Sequence, residues 1–189
     1  AALTTDQVVA IETADFRQLG ATQLQAMRAA QVSALTTDQV ASLRRTQVSG
    51  FGTDQIAALT TDQVQALTTD TLPGLSGTQI AALGTAQVQA LSTAQIVGLS
   101  NSQLAALAPE QVTALTTDQL AAFETSDMAS LNSTQIAALS TTQLTSLDNA
   151  HLSALSTSAI AGLSTAQMQA LTTGQVQGLN ERQFAALSS

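Results

Sequence analysis

Large apolar residues recur in this chain with a fixed period of eight. If each octad is numbered from its first large apolar residue, starting at Leu3, position 1 is Leu in 20 of its 24 occurrences and position 6 is apolar in all 23. Position 5 is Gln in 18 octads, and position 2 is Ser, Thr, Asn or Asp in 15 of the 23 complete octads. Such a period indicates a linear array of similar small units.

The segment from Leu59 to Val64 carries the signals that begin a helix. Thr60 followed three residues later by Gln63 forms a capping box, and the apolar residues on either side form a hydrophobic staple. Asp62 lies in the first turn, where negative charge favours the helix dipole. Because these signals return in nearly every octad, the pattern predicts a new helix of about five or six residues each time.

Other regular structures fit the period less well. In one continuous helix, eight residues turn through about 800°, so the apolar stripe would move round the helix by roughly 80° per octad. In a flat strand, positions 1 and 6 would point to opposite faces. A β-solenoid with turns inside each octad remains an alternative.

A single octad buries too little apolar surface to fold alone. Burying one Leu and one Val contributes on the order of 3–6 kcal/mol, whereas ordering eight residues costs roughly 8–16 kcal/mol. The octads are therefore expected to coil around a shared interior formed by positions 1, 6 and 8, with positions 2, 3, 4 and 7 facing water. The predicted fold class is an all-α solenoid, a superhelical spiral with one short helix per octad and about 23 repeats.

Glycines give a hint about the size of each coil. We expect two to four octads per superhelical turn, and Gly20, Gly52 and Gly84 recur every 32 residues, which hints at four. Several octads end on glycine, which would tolerate a positive φ at a tight turn. These are Gly50, Gly74, Gly98, Gly162 and Gly178.

The two prolines occupy different places in the octad. Pro109 falls at the first helical residue, where proline is favoured. Pro73 falls within the octad Leu67–Gly74, in which Thr71 also replaces Gln. Since proline there would remove a helical hydrogen bond, the sequence predicts a kink or a shortened helix.

Composition narrows the possible functions. The absence of cysteine excludes disulfides and thiolate metal sites. Thirteen carboxylates against five cations give a net charge of −8, which disfavours binding to nucleic acid. No apolar run approaches the roughly 18 residues of a membrane helix, so membrane insertion is not expected. Both ends fall inside an octad without a polar capping unit. We therefore expect residues 1–189 to form one octad-repeat solenoid, a segment of a longer repeat protein.

Few residues are candidates for chemistry. His151 is the only histidine, and Asp148 precedes it by three residues, as in part of a nucleophile–His–Asp arrangement. Because the two residues occupy the Gln and N-cap positions of their octad, we interpret both as helix caps. We therefore predict no catalytic, cofactor-binding or metal-binding residues.

Three further groups are interpreted in the same way. Acidic residues recur at position 4, where they complement the helix dipole but would form a weak cation-binding row if neighbouring coils stacked them. They include Asp38, Asp54, Asp62, Asp70 and Asp118. Arg44 and Arg45, the only basic pair, are expected on a solvated face. All four phenylalanines occupy core positions, which argues against ligand stacking. They are Phe16, Phe51, Phe123 and Phe184.

The segments Ala57–Val64 and Ala137–Leu144 resemble the AALTTxQ repeat regions of large, secreted bacterial surface proteins of the adhesin type. This resemblance covers the whole chain. It implies export, an extracellular or cell-surface location, a spacer or fibre role and no catalytic residues. The opening Leu3–Ile11 also resembles the first helix of TAL-effector DNA-binding repeats, but the octad, the lack of a base-reading pair and the negative charge argue against DNA binding.

Three functions follow as expectations. The first is a non-catalytic stalk, spacer or fibre segment of a bacterial extracellular protein, with no cofactor. The second is an ice-binding or other repetitive binding surface that uses ladders of Thr and Ser. The third is end-to-end self-association into filaments.

Overall fold

The computed structural model describes residues 3–187. These residues form 22 α-helices and one 3-10 helix, with no β-strand among them. The helices are only four to six residues long, as in α2 (Thr13–Phe16) and α8 (Thr61–Ala66). The predicted all-α fold with one short helix per octad is confirmed, and over these residues the continuous helix and the β-solenoid are excluded.

The chain divides into two compact units. The first ends at Leu99 and the second begins at Ser100. The remaining elements of the first unit are α1 (Thr5–Val9), α3 (Ala21–Gln25), α4 (Ala29–Ser33), α5 (Thr37–Ala41), α6 (Arg45–Val48), α7 (Thr53–Ala57), η1 (Leu72–Gly74), α9 (Gly77–Ala81), α10 (Thr85–Ala90) and α11 (Thr93–Val97). The second unit contains α12 (Asn101–Ala105), α13 (Pro109–Ala114), α14 (Thr117–Ala121), α15 (Thr125–Ser130), α16 (Ser133–Ala138), α17 (Thr141–Ser146), α18 (Asn149–Ala154), α19 (Thr157–Ala161), α20 (Thr165–Ala170), α21 (Thr173–Gln177) and α22 (Glu181–Ala186). That residues 1–189 form a single array stays a prediction.

Most helices begin as the capping box predicts, whereas α2, with Glu12 as its N-cap, has no side-chain cap bond. At α5, the Thr36 hydroxyl accepts a hydrogen bond from the Gln39 amide N–H at 3.1 Å, and Gln39 Oε1 accepts from the Thr36 N–H at 3.0 Å. The helix ends when the Leu43 N–H donates to the Val40 carbonyl, three residues back. The chain then becomes extended for the next N-cap, Arg44. Local sequence thus sets both ends of each helix.

Within each unit, helices pack against the helix three octads away. Examples are α5 with α8 in the first unit and α13 with α16 in the second. Side-chain hydrogen bonds join residues 28 apart in both units, for instance Gln63 to Leu35 and Gln143 to Leu115. Because 28/8 is 3.5, a coil contains between three and four octads, which lies within the expected two to four and below the four that the spaced glycines hinted at. Each unit is an all-α solenoid.

Burial follows the octad, with one addition. Positions 1 and 6 form the core, as shown by Val64 and Leu67, which are 0% and 3% exposed. Position 8 is mostly half-buried, whereas positions 2, 3, 4 and 7 are mostly exposed, as predicted. The sequence did not predict the burial of position 5, where Gln63 is only 2% exposed.

The prolines act as predicted, and close packing explains one of the glycines. Pro109 is the first residue of α13. In the octad that contains Pro73, the helix is shortened to the 3-10 helix η1. No glycine among residues 3–187 has a positive φ, so the tolerance of glycine for that conformation is not used there. At Gly50 the reason for glycine is close packing, because an added Cβ would lie 2.7 Å from the Ala21 Cβ on the neighbouring coil.

Candidate functional site

The Gln at octad position 5 is the most heavily bonded side chain of the repeat. Gln63 Oε1 accepts from the Thr60 N–H at 2.8 Å, within its own octad. Its Nε2 donates to the carbonyls of Val32 at 3.0 Å and Leu35 at 2.6 Å, on the preceding coil. One side chain therefore caps the start of its own helix and bridges to the end of another helix. We call this arrangement the glutamine bridge.

The glutamine bridge pairs backbone groups that the ends of each short helix leave without a partner. The last carbonyls of a helix have no partner within it, and buried carbonyls without a partner are costly. A helix of five residues consists almost entirely of ends. The bridge supplies an N–H donor to carbonyls at one helix end and an acceptor to the N–H of an N-cap at another.

The same offset recurs in both units. Bridges to the carbonyls 28 or 31 residues earlier are made in the first unit by Gln31, Gln39, Gln47, Gln55, Gln63, Gln79, Gln87 and Gln95. In the second unit they are made by Gln135, Gln143, Gln167, Gln175 and Gln183. The bond to the N-cap N–H persists even where the cap has no hydroxyl, as at Gly20 and Ala108.

The octad that contains the bridging Gln matches the sequence of a known repeat family. The family model described as the ALTTAQ repeat matches residues 8–45, 46–69, 67–101, 80–117, 120–157 and 145–181. The chain belongs to the ALTTAQ repeat family. The six letters correspond to octad position 8 followed by positions 1 to 5, so the motif ends on the bridging Gln. A search of curated proteins gave no match.

The ALTTAQ match confirms the resemblance to octads of the AALTTxQ type. Together with the all-helical repeat fold, membership in this family suggests a structural repeat protein. No helix within residues 3–187 is both long enough and apolar enough to cross a bilayer.

Two substitutions at the Gln position keep part of the bridge. Thr71 Oγ1 donates to the Leu43 carbonyl at 3.0 Å, and His151 Nε2 lies 2.8 Å from the Phe123 carbonyl, each 28 residues back. Because a carbonyl only accepts, His151 must carry its proton on Nε2. The carbonyl one coil back is therefore served by three different donors at this position.

His151 and Asp148 form a cap, as predicted. Asp148 Oδ1 accepts from the His151 backbone N–H at 2.8 Å, and this bond is the main cause of the lowered pKa of Asp148. His151 Nδ1 also lies 2.8 Å from Asp148 Oδ1, and this side-chain contact is a smaller cause of the lowered pKa of Asp148. No hydroxyl among residues 3–187 bonds to the ring, and the nucleophile–His–Asp arrangement is not assembled.

Asp127 is one of three residues at position 5 without a side-chain N–H or hydroxyl donor, the others being Asp15 and Ala159. Its side chain is 5% exposed, and its Oδ2 accepts from the Glu124 N–H at 2.7 Å. Burial raises the pKa of Asp127, and although the Glu124 N–H lowers it, the nearby Glu124 carboxylate raises it further. Asp127 thus caps its own helix but cannot donate as Gln135 and Gln143 do.

The five aspartates considered above as a cation-binding row are all exposed, and four of them lie in the first turns of α5, α7, α8 and α14, as dipole complementation requires. They are Asp38, Asp54, Asp62, Asp70 and Asp118. No three His, Asp or Glu side chains among residues 3–187 come close enough together to hold a metal ion.

The basic pair and the phenylalanines lie where the octad places them, with one exception. Arg44 and Arg45 are exposed, and Arg44 Nη2 donates to the Arg17 carbonyl at 2.7 Å. Three phenylalanines are buried, but Phe184 is 52% exposed, so its predicted core location is wrong. Phe184 lies in the last described octad, so no later coil lies within residues 3–187 to cover it.

The sequence carries a signal for the glutamine bridge at octad position 5. A capping box accepts either Glu or Gln at its third helical position, yet position 5 is never Glu in this chain. Capping needs only an acceptor oxygen, whereas bridging also needs N–H donors. The preference for the amide over the acid therefore indicates a second bond that sequence periodicity alone does not locate.

Proposed function

We propose that this chain is a non-catalytic structural segment, a stalk, spacer or fibre, whose length is set by its number of octads. The observation that supports the proposal most is the constant offset of the glutamine bridge, 28 residues in both units. Each added octad creates the same bonds as the one before, so it would add the same increment. The only histidine is held between a cap and a carbonyl, which supports a structural role for it.

Length scaling tests this proposal. Duplicating the seven octads 35–90 adds two coils at 3.5 octads each and preserves every bridge offset. We expect the maximum dimension measured by small-angle X-ray scattering to rise linearly with the number of octads added. A matched control inserts four residues after Leu59, which breaks the offset and should lower the melting temperature. A dimension that grows only as the cube root of chain length would contradict the spacer role.

We also propose that the segment works on the outside of a bacterial cell. The resemblance to octad regions of secreted adhesin-type proteins supports this location. Fractionation of the producing bacterium, with detection by an antibody against the octads, would test it. Detection in the medium or protease sensitivity on intact cells is expected, and a signal confined to the cytosol would contradict it.

The packing between coils favours the spacer over the ice-binding surface. A Thr ladder needs like residues directly above one another, but the observed contacts pair different octad positions. An added Cβ on Gly50, at position 8, would meet Ala21, at position 3, and one on Gly162 would likewise meet Ser133. The half-octad offset between coils therefore staggers the Thr positions instead of stacking them.

A further inference from the structure

Three of the five arginines of the chain line a single cavity in the first unit. The cavity encloses about 340 Å³, a volume within the roughly 300–1,000 Å³ of small-molecule sites. Residues from three successive coils line it, so it lies along the side of the first unit. Its charged lining residues are Arg17, Arg44, Arg45 and Asp70.

The octad that departs most from the repeat forms one wall of this cavity. In that octad Thr71 replaces Gln, and the helix is η1. Gln63 donates to the Leu35 carbonyl and also to the Ser33 carbonyl, 30 residues back. Thr71 donates to the Leu43 carbonyl but makes no bond to Ala41, 30 residues back, and both of these residues line the cavity. The shorter side chain thus leaves open a space that a Gln amide fills in other octads.

The hydroxyl groups at the cavity spend their hydrogens within the protein. Thr71 Oγ1 donates to the Leu43 carbonyl at 3.0 Å. Thr68 Oγ1 lies 2.8 Å from Thr71 Oγ1 and must be the donor of that pair, because a hydroxyl has a single hydrogen. Ser42 Oγ donates to the Gln39 carbonyl at 2.7 Å. The side-chain donors that remain for a ligand are therefore the guanidinium N–H groups.

Those guanidinium groups are largely free. Arg44 Nη2 donates to the Arg17 carbonyl at 2.7 Å, which uses one of its five N–H groups. Within residues 3–187, the guanidinium groups of Arg17 and Arg45 have no hydrogen bond or ion pair, and Asp70 forms no ion pair with them. Three cations against one carboxylate make this cavity positive in a chain of net charge −8. Guanidinium groups bind carboxylates through paired hydrogen bonds.

We propose that this cavity binds a small hydroxylated carboxylate of the size of a sugar acid. The carboxylate of the ligand would accept hydrogen bonds from Arg17 and Arg45, and a hydroxyl of the ligand would donate to Asp70. Asp70 also sets the specificity, because an anion that only accepts hydrogen bonds is repelled by this carboxylate and offers it no donor. The binding goes beyond the spacer function and does not depend on it.

Nuclear magnetic resonance of the ¹⁵N-labelled chain tests the proposal with galacturonate as the probe. The chain has only five arginines, so their Nε–H signals can be followed one by one. Galacturonate should shift the signals of Arg17 and Arg45 and leave that of Arg182 in place. Galactose, which lacks the carboxylate, and sulfate, which lacks hydroxyl donors, should each bind at least about tenfold more weakly. No shift with galacturonate, or equal affinities for galacturonate and sulfate, would overturn the proposal.

The same ligand group can come from a free sugar acid or from the end of a polysaccharide. A galacturonate trimer distinguishes the two sources. Binding as tight as that of galacturonate would support the proposal for the end of a chain, and the absence of trimer binding would support it for the free acid.

Variants connect the binding to the cavity. Arg17→Gln with Arg45→Gln should weaken galacturonate binding by about tenfold or more. Arg28→Gln is the matched control, since it removes an exposed cation of the same unit outside the cavity. Asp70→Ala should reduce the preference for galacturonate over sulfate, a change that a general loss of structure would not produce. Far-UV circular dichroism checks that each variant keeps its helix content. Equal weakening by Arg28→Gln, or an unchanged preference in Asp70→Ala, would overturn the proposal.

Discussion

Gln63 and Leu35 lie 28 residues apart and are joined by a hydrogen bond of 2.6 Å from Nε2 to the carbonyl oxygen. The bond is buried, and it connects the capping residue of one helix to the end of another. A solenoid of such short helices has few intrahelical hydrogen bonds per helix. Hydrogen bonds between coils therefore stabilise this fold, whereas longer helices depend less on such bonds.

Replacing Gln63 by Glu separates bridging from capping. The Glu carboxylate still accepts from the Thr60 N–H, but it has no N–H to offer the carbonyls of Val32 and Leu35. Loss of the donors and burial of a charge should destabilise the first unit by about 3 kcal/mol at neutral pH. Urea denaturation followed by circular dichroism measures this change.

The control for that variant is Gln65→Glu, whose side chain is exposed. It should change stability by less than about 0.5 kcal/mol. Equal effects of the two substitutions would show that the negative charge, and not the loss of the bridge, causes the destabilisation.

Gly50→Ala tests the packing of octad position 8. The new Cβ would lie 2.7 Å from the Ala21 Cβ and 3.2 Å from its backbone oxygen, so the coils must move apart. Overpacking of this kind costs about 1–3 kcal/mol. Gly174→Ala is the matched control, because its Cβ would meet only the Thr172 hydroxyl at 4.0 Å. Within a helix, that change should stabilise by about 0.5–1 kcal/mol, and thermal denaturation of both variants would show opposite shifts.

The sequence predicted the helices because their signals are local. Thr60, Gln63 and the apolar residues around them fix where a helix begins, whichever coil lies next to it. Pro73 and Pro109 were placed correctly for the same reason, since proline acts on its own backbone. The caps at Asp148 and His151 also depend only on residues three apart.

What the sequence did not predict depends on the relation between coils. The offset of 28 residues follows from how the helices pack, and no pair such as Gln63 and Leu35 is marked by octad spacing, because 28 is not a multiple of eight. Burial of position 5 and the close packing at Gly50 follow from that offset. Phe184 was misplaced because the octad describes a residue with a coil on each side.

Asp148→Ala should weaken the second unit in a pH-dependent way. Removing an N-cap side chain costs about 1 kcal/mol at neutral pH. The pKa of Asp148 is lowered below 3.8, so its contribution to stability is present above that value. It is lost as the pH falls through the lower pKa of the folded state. Denaturation at a series of pH values should show the cost of the substitution shrinking towards acid, and a cost independent of pH would contradict this role.

Asp127→Gln should act in the opposite direction. The pKa of Asp127 is raised above 3.8, chiefly because burial disfavours the carboxylate. Its protonated form is favoured on folding, so stability is greatest below pH 3.8 and is lost as the pH rises through the pKa of the folded state. Gln removes this charge and has the amide of Gln135 and Gln143. We therefore expect the variant to be more stable by about 1–3 kcal/mol at neutral pH, with the advantage shrinking at acid pH.

Asp118→Asn, at an exposed first-turn position, is the control and should give no such gain. Equal stability of Asp127→Gln and the unchanged chain at neutral pH would show that burial of this carboxylate costs nothing, and that the amide at position 5 is not required in this octad.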